Sequence, residues 1–217
     1  MHRVVTIDGP AGAGKSTAAR MLAERLGWRF LDTGAMYRVV TLAALRSGVD
    51  LEDAGALDRL AAGLDVLFPP ARVLLAGEDV TAAIREVGVT RASRFIADCA
   101  AVRDRLVGWQ RAFARVEDVV TEGRDQGTIV FPDAHRKFFV TASDEERARR
   151  RRLDLLARGE EMSLEAVLAD QKARDARDAA RAIAPMRPAD DAETVDTTGL
   201  AIADVVELLY RKVLPSS

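Results

Sequence analysis

Eight residues near the start of the chain, Gly9-Pro10-Ala11-Gly12-Ala13-Gly14-Lys15-Ser16, combine a pliable backbone with one ammonium and one hydroxyl group. They fit the pattern GxxxxGK[ST], in which glycines let the backbone wrap until several N–H groups point inward at phosphate oxygens. A helix that begins where the loop ends adds the partial positive charge of its first turn. In that arrangement Lys15 reaches the outer phosphates of a nucleotide and the Ser16 hydroxyl takes a magnesium position. The β-branched run 4–7 before the loop and the one-sided apolar pattern over 16–26 after it supply the required strand and helix. The candidate nucleotide-binding segment therefore runs from Gly9 to Thr17.

Two more clusters sit at similar junctions. Asp32 and Thr33 follow a second apolar run, and Arg38 falls one helical turn further on. Glu122-Gly123-Arg124-Asp125 follows a third such run. Ligands of open α/β sheets bind outside the carboxyl ends of the strands, so Arg124 and Asp125 are expected to face the same space as Lys15. Arginine suits a phosphate acceptor site because its planar fork grips two oxygens at once. The alternative is structural: Thr33 as a helix cap, Arg38 on the surface, and Arg124 and Asp125 as a mutual ion pair. The chain lacks the Asn-Lys-x-Asp of a guanine-reading switch and the strand-terminal Asp-Glu pair of a motor ATPase. Phosphate transfer to a small acceptor remains.

The elements that must position these groups alternate. Strands are expected at 4–7, 28–31, 119–121, 138–141 and 193–196. Helices are expected at 16–26, 35–46, 98–115, 144–158, 164–182 and 202–213. Such alternation predicts an α/β fold with a five-stranded parallel sheet in three layers, the P-loop NTPase arrangement. The stretch 64–84 breaks the rhythm: a turn at Pro69-Pro70 joins apolar runs 64–68 and 72–76 as a hairpin, 77–81 reads as a further turn and short strand, and the whole is a small antiparallel insertion. Expected boundaries are a core of 1–33, 99–145 and 185–217, an insertion of 34–98, and a helical lid of 146–184. The charge-rich stretch 147–181 reads equally well as a solvated surface with (i, i+4) pairs.

Bulk properties exclude several classes. A formal net charge of −2 over 217 residues argues against a general nucleic-acid binder. Of the 32 basic residues 28 are arginine, which fits both a GC-rich genome and phosphate handling. A single cysteine, Cys99, rules out an internal disulfide framework and a cysteine-rich zinc site. His2 and His135 have no motif around them, and no apolar run approaches a membrane span. A cytoplasmic protein is expected.

The combination of 7–16, Leu31-Asp32-Thr33-Gly34-Ala35-Met36-Tyr37-Arg38 and Glu122-Gly123-Arg124-Asp125-Gln126-Gly127-Thr128 resembles the bacterial cytidylate kinases, P-loop nucleoside monophosphate kinases. Phe131-Pro132-Asp133-Ala134, 137–143, Arg174-Asp175-Ala176-Arg177-Asp178 and 181–185 extend the resemblance over most of the chain, in order. The resemblance implies transfer of the γ-phosphoryl group of ATP to CMP or dCMP, with magnesium, by a monomer. It places Lys15, Arg38 and Arg124 in catalysis, the two arginines on the acceptor phosphate beside Thr33. Asp125, Ser93 and Arg103 would read the cytosine edge, Arg174 and Asp178 would hold the pentose, and Arg181 would approach base or phosphate. Arg149, Arg150, Arg152 and Arg158 would belong to the lid over ATP.

Three positions depart from the family pattern. Thr33 stands for a serine, Gln126 for an apolar residue, and the Ser93–Arg103 interval is one residue longer. On a continuous helix that slip rotates a side chain by about 100 degrees. Rival readings are a kinase for UMP, a sugar or a hydroxy acid, and a non-catalytic nucleotide-binding module. The last should have lost Lys15, Ser16 or the acceptor arginines, and none is missing.

Overall fold

A computed structural model describes residues 2–157 and 159–214. In chain order its first half holds β1 (Val4–Asp8), α1 (Lys15–Leu26), β2 (Arg29–Asp32), α2 (Thr33–Arg46), α3 (Ala54–Ala62), β3 (Val66–Leu67), β4 (Leu74–Leu75), β5 (Glu78–Asp79) and α4 (Val87–Asp98). There follow α5 (Ala100–Phe113), β6 (Val119–Gly123), β7 (Arg136–Thr141), α6 (Asp144–Leu156), α7 (Leu164–Ala179), β8 (Glu193–Asp196) and α8 (Ile202–Val213). The chain divides into two compact units, 1–31 with 113–217, and 32–112. No helix among the described residues is long and apolar enough to cross a membrane.

The first unit is built on a five-stranded parallel sheet of order β2-β6-β1-β7-β8. All five residues of β1 are buried, as expected for a central strand covered on both faces. Val5 lies opposite Val120 and Ile7 opposite Phe138. These side chains pack with Ala18, Ala19 and Leu22 of α1 and with Val205, Val206 and Leu209 of α8, while Trp28 and Phe30 rest against the cluster's edge. The consequence for the site is a fixed exit of β1 into the loop 9–14. Gly9 sits at φ +140°, and a Cβ there would lie 2.0 Å from the Val140 carbonyl oxygen of β7. The loop can leave the sheet at this point only as glycine.

Helices α6 and α7 share a satellite core of Ala148, Leu155 and Val167, fringed by Met162, Leu164 and Leu168. Serine caps start both: Ser143 Oγ accepts from the Glu146 amide at 3.2 Å and Ser163 Oγ from the Ala166 amide at 3.1 Å. They end at Leu156 and Ala179, earlier than the periodicity predicts.

The second unit holds α2 to α5 and a three-stranded antiparallel sheet of order β3-β4-β5 with two-residue pairings. The expected hairpin is thus present, and β5 falls within the further turn and short strand expected at 77–81. The helices α3 and α4 are additional to the sequence expectation. Asp53 caps α3, its carboxylate accepting from the Ala56 amide at 2.9 Å. At Cys99 the backbone turns extended (φ −84°, ψ 108°), which separates α4 from α5. Ser93 and Arg103 therefore lie on different helices, and the expected 100-degree rotation does not arise. Cys99 itself is buried, as a small apolar residue would be.

Candidate active site

In the first unit, the loop wraps through left-handed Gly12 (φ +76°) and Gly14 (φ +84°) before α1 begins at Lys15. No acidic residue lies in the first turn of α1, so the partial positive charge of that helix end is not cancelled by its own side chains. Lys15 is buried, and its Nζ donates to the Pro10 carbonyl oxygen at 2.6 Å, which folds the ammonium back over the loop. Burial first, then the neighbouring positive charges of Arg124 and Arg174 against the pull of Glu122 and Asp8, lowers the Lys15 pKa to about 7. Ser16 is exposed, and its Oγ donates to Glu122 Oε1 at 3.0 Å.

Beneath the loop, Asp8 closes β1. Its two carboxylate oxygens accept from the amides of Gln126 (2.9 Å) and Gly127 (2.7 Å). Burial nevertheless raises its pKa to about 6, helped by nearby Asp125 and opposed by those two amides and by Lys15. Residues Gln126–Val130 form a single π-helical turn that the sequence reading did not include. Gln126 is buried, and its Oε1 accepts from the Thr121 hydroxyl at 3.0 Å. A polar side chain is thus satisfied where the family pattern has an apolar one.

Arg124, Asp178 and Arg181 form one cluster: Arg124 Nε donates to Asp178 Oδ2 at 3.1 Å, and Arg181 Nη2 lies 2.8 Å from Asp178 Oδ1. The carboxylate of Asp178 is thus flanked by two guanidinium groups, which ties β6's exit to α7. Asp125 is buried beside Asp8. The Arg174 charge interacts with Arg124, Asp178, Arg151 and Asp175.

Of the arginines expected in a lid, Arg150 reaches the loop's surroundings, donating to Thr197 Oγ1 (3.1 Å) and to the Thr197 carbonyl (2.8 Å). Arg149 is exposed near Glu146, and Arg152 donates to the Met162 carbonyl at 3.2 Å. Arg158 lies outside the described residues.

In the second unit, Asp32 rather than Thr33 caps α2, accepting from the Ala35 amide at 2.8 Å. Thr33 opens the helix and is buried. Arg38 Nη2 stands 3.5 Å from Asp32, and its Nε is buried without a hydrogen-bond partner. Ser93 Oγ donates to the Thr90 carbonyl at 2.8 Å. Arg103 is buried, donates to the Ala97 carbonyl at 3.4 Å, and lies 5.8 Å from the Tyr37 ring.

The family model described as cytidylate kinase matches residues 5–214. The chain belongs to the cytidylate kinase family. A cytidylate kinase of Pseudomonas syringae pv. tomato is 49% identical over 97% of this chain and 94% of its own length. One from Pseudomonas aeruginosa is 50% identical over 96% and 93%. Among solved structures, an uncharacterized protein from Eubacterium ventriosum aligns with a TM-score of 0.56 at 12% identity, covering 98% of both chains. A Thermus thermophilus protein aligns with a TM-score of 0.50 at 21% identity, covering 98% of this chain and 97% of its own. These last two likenesses speak for the fold.

In this cytidylate kinase family member, three residues around the site are not among those the sequence singles out. Glu122 opens the 122–125 cluster without an expected role, and its signal is an apolar strand ending in an acid that accepts from Ser16. Arg151, among four consecutive arginines, interacts by charge with Arg174. Arg147, buried in the stretch read as a possible solvated surface, is the third.

Proposed function

We propose that this cytidylate kinase family member transfers the γ-phosphoryl group of ATP to CMP or dCMP, yielding ADP and the diphosphate. One observation carries the reading: Lys15 is buried at the glycine-wrapped loop, ahead of a helix N-terminus with no acid in its first turn, and Arg124 and Arg174 are near enough to repel its ammonium form. A nucleotide polyphosphate at the loop, facing an acceptor phosphate, is the ligand that relieves this repulsion.

The donor lies with its phosphates against the loop amides from Gly9 to Thr17 and the N-terminus of α1. Lys15 leaves the Pro10 carbonyl for the outer phosphates. Arg124 and Arg38 take the acceptor phosphate, and the unpartnered Nε of Arg38 supports that assignment. Asp125, Ser93 and Arg103 read the base, Arg174 and Asp178 hold the pentose, and Arg181 adds charge nearby. The acceptor phosphate is already an anionic nucleophile, so positioning and charge cancellation carry the reaction without a side-chain base. Among Arg149, Arg150 and Arg152, Arg150 approaches the loop's surroundings through Thr197, and closure over the donor keeps water from replacing the acceptor.

Magnesium fits the donor set, because Ser16 and Glu122 present hard oxygen ligands 3.0 Å apart. They would hold the ion with the nucleotide's own phosphates, and it would neutralise charge on the transferred group. The reading includes a monomer at work in the cytoplasm.

The experiment is ADP release with ATP and magnesium and each of CMP, dCMP, UMP, AMP and GMP. High turnover with CMP and dCMP, low turnover with UMP and almost none with purines is expected, since a site built for the cytosine amino group leaves its partners unpaired on uracil. Equal turnover with all five, or ADP release independent of acceptor, would defeat the proposal.

A further inference from the structure

Arg147 and Asp175 have no part in the roles assigned above, yet both backbone polar groups of Ala11 in the phosphate loop are tied to them. The Ala11 amide donates to Asp175 Oδ1 at 3.1 Å, and the Ala11 carbonyl accepts from Arg147 Nη1 at 2.8 Å. The same Nη1 also donates to Asp175 Oδ2, which closes the clasp. We propose that Asp175, paired with Arg147, is a positioning residue that sets the shape of the phosphate loop for the donor nucleotide. The inference rests on the reading that the donor binds at this loop.

The clasp is built into the fold. Arg147 is buried, and its other nitrogens donate to the Ala142 carbonyl (3.2 Å) and to Asp144 Oδ1 (2.5 Å). One guanidinium thus joins the end of β7, the first turn of α6, the loop and α7. Gln171, one turn before Asp175 on α7, donates from Nε2 to the Arg147 carbonyl at 3.2 Å. A Cβ on Gly12 would come within 2.5 Å of that Nε2 and 3.0 Å of the Arg147 carbonyl oxygen. The two lid helices therefore press directly on loop residues 11 and 12, with no space between.

Charge distinguishes positioning from simple attraction. A carboxylate on a phosphate loop repels polyphosphate, so Asp175 does not serve donor affinity through its charge. Removing that charge alone would tighten nucleotide binding. Removing a support of the loop's shape would loosen it, because misplaced amides no longer converge on the phosphates. The two accounts give opposite signs.

The test compares wild type with Asp175→Asn, which keeps shape and one acceptor oxygen but leaves Arg147 without this counter-charge. ADP and CMP dissociation constants are measured separately by calorimetry, with kcat at saturation. ADP affinity is expected to fall about tenfold or more, and kcat with it, while CMP affinity stays within about threefold. Unchanged or tighter ADP binding would overturn the proposal. So would equal losses for ADP and CMP, which would mark a general structural staple. Should Asp175→Asn fail to melt cooperatively, the same split is read on Arg147→Lys, which keeps the charge but loses the fork. A wild type that binds ADP but neither binds nor phosphorylates CMP would overturn the proposed function, leaving the ADP comparison to decide the clasp.

Discussion

Donor binding should be accompanied by proton uptake at Lys15. With its pKa near 7, the side chain of the free protein is mostly neutral at pH 8. The neutral share there is about 0.9 by simple titration. A bound polyphosphate favours the ammonium form and raises the pKa, so each binding event draws up to about 0.9 proton from the buffer. Competing sources are small at this pH. Asp8, at about 6, is already ionised, and terminal phosphate groups with pKa about 6 are ionised as well. Above pH 7 the affinity should therefore fall with rising pH, by at most about tenfold per unit, until the bound-state pKa is reached. The assay is calorimetric titration with ADP, metal chelated, in two pH 8 buffers of different ionisation enthalpy. The slope of observed heat against buffer enthalpy counts protons, and Lys15→Met should abolish it. A slope below about 0.2 proton for wild type would refute the reasoning, since Lys15 would then be charged before the nucleotide arrives.

Three further outcomes follow from the same geometry. Lys15→Ala should lower kcat by about a hundredfold or more in folded protein at saturating ATP, and a loss below about tenfold would remove its assigned role. Asp125→Ala should weaken CMP recognition while ADP affinity survives; equal losses in both titrations would make the residue structural. Gly9→Ala should cost more than about 4 kcal/mol in denaturant unfolding, because its Cβ would collide with the Val140 carbonyl at 2.0 Å. A cost under about 1 kcal/mol would show that the exit of β1 is more pliable than drawn.

The core strands and the helices α1, α2 and α8 were legible because each is written in one repeating code, a short β-branched run or a one-sided apolar stripe. The unit 32–112 was less so. Helix α4, Val87–Asp98, contains Gly88, Thr90 and Ser93, which are weak helix formers, and only Val89 and Ile96 of its side chains are buried. Its helicity owes more to packing on α2, a non-local term that no window of sequence displays. The break at Cys99 is equally silent, because neither glycine nor proline marks it.

At the proposed site, the residues legible in the sequence are those whose identity and spacing suggest chemistry by themselves: the loop, Arg38, Arg124 and Asp125. Those missed act through a partner remote in sequence. Asp175 lies 164 positions from the amide it accepts, and Arg147 lies 136 positions from the carbonyl it caps. In sequence both belong to a run of alternating charges, where the commonest fate is a solvated helix face. What separates them from their exposed neighbours Arg149 and Arg177 is contact with backbone groups of the loop, with Arg147 buried and Asp175 partly so. A buried guanidinium is tolerated only where its donors are matched, and here a carbonyl of the loop, a second carbonyl and two carboxylates meet them. The same requirement for satisfied donors that makes Arg147 cheap to bury also makes the phosphate loop dependent on helices far along the chain.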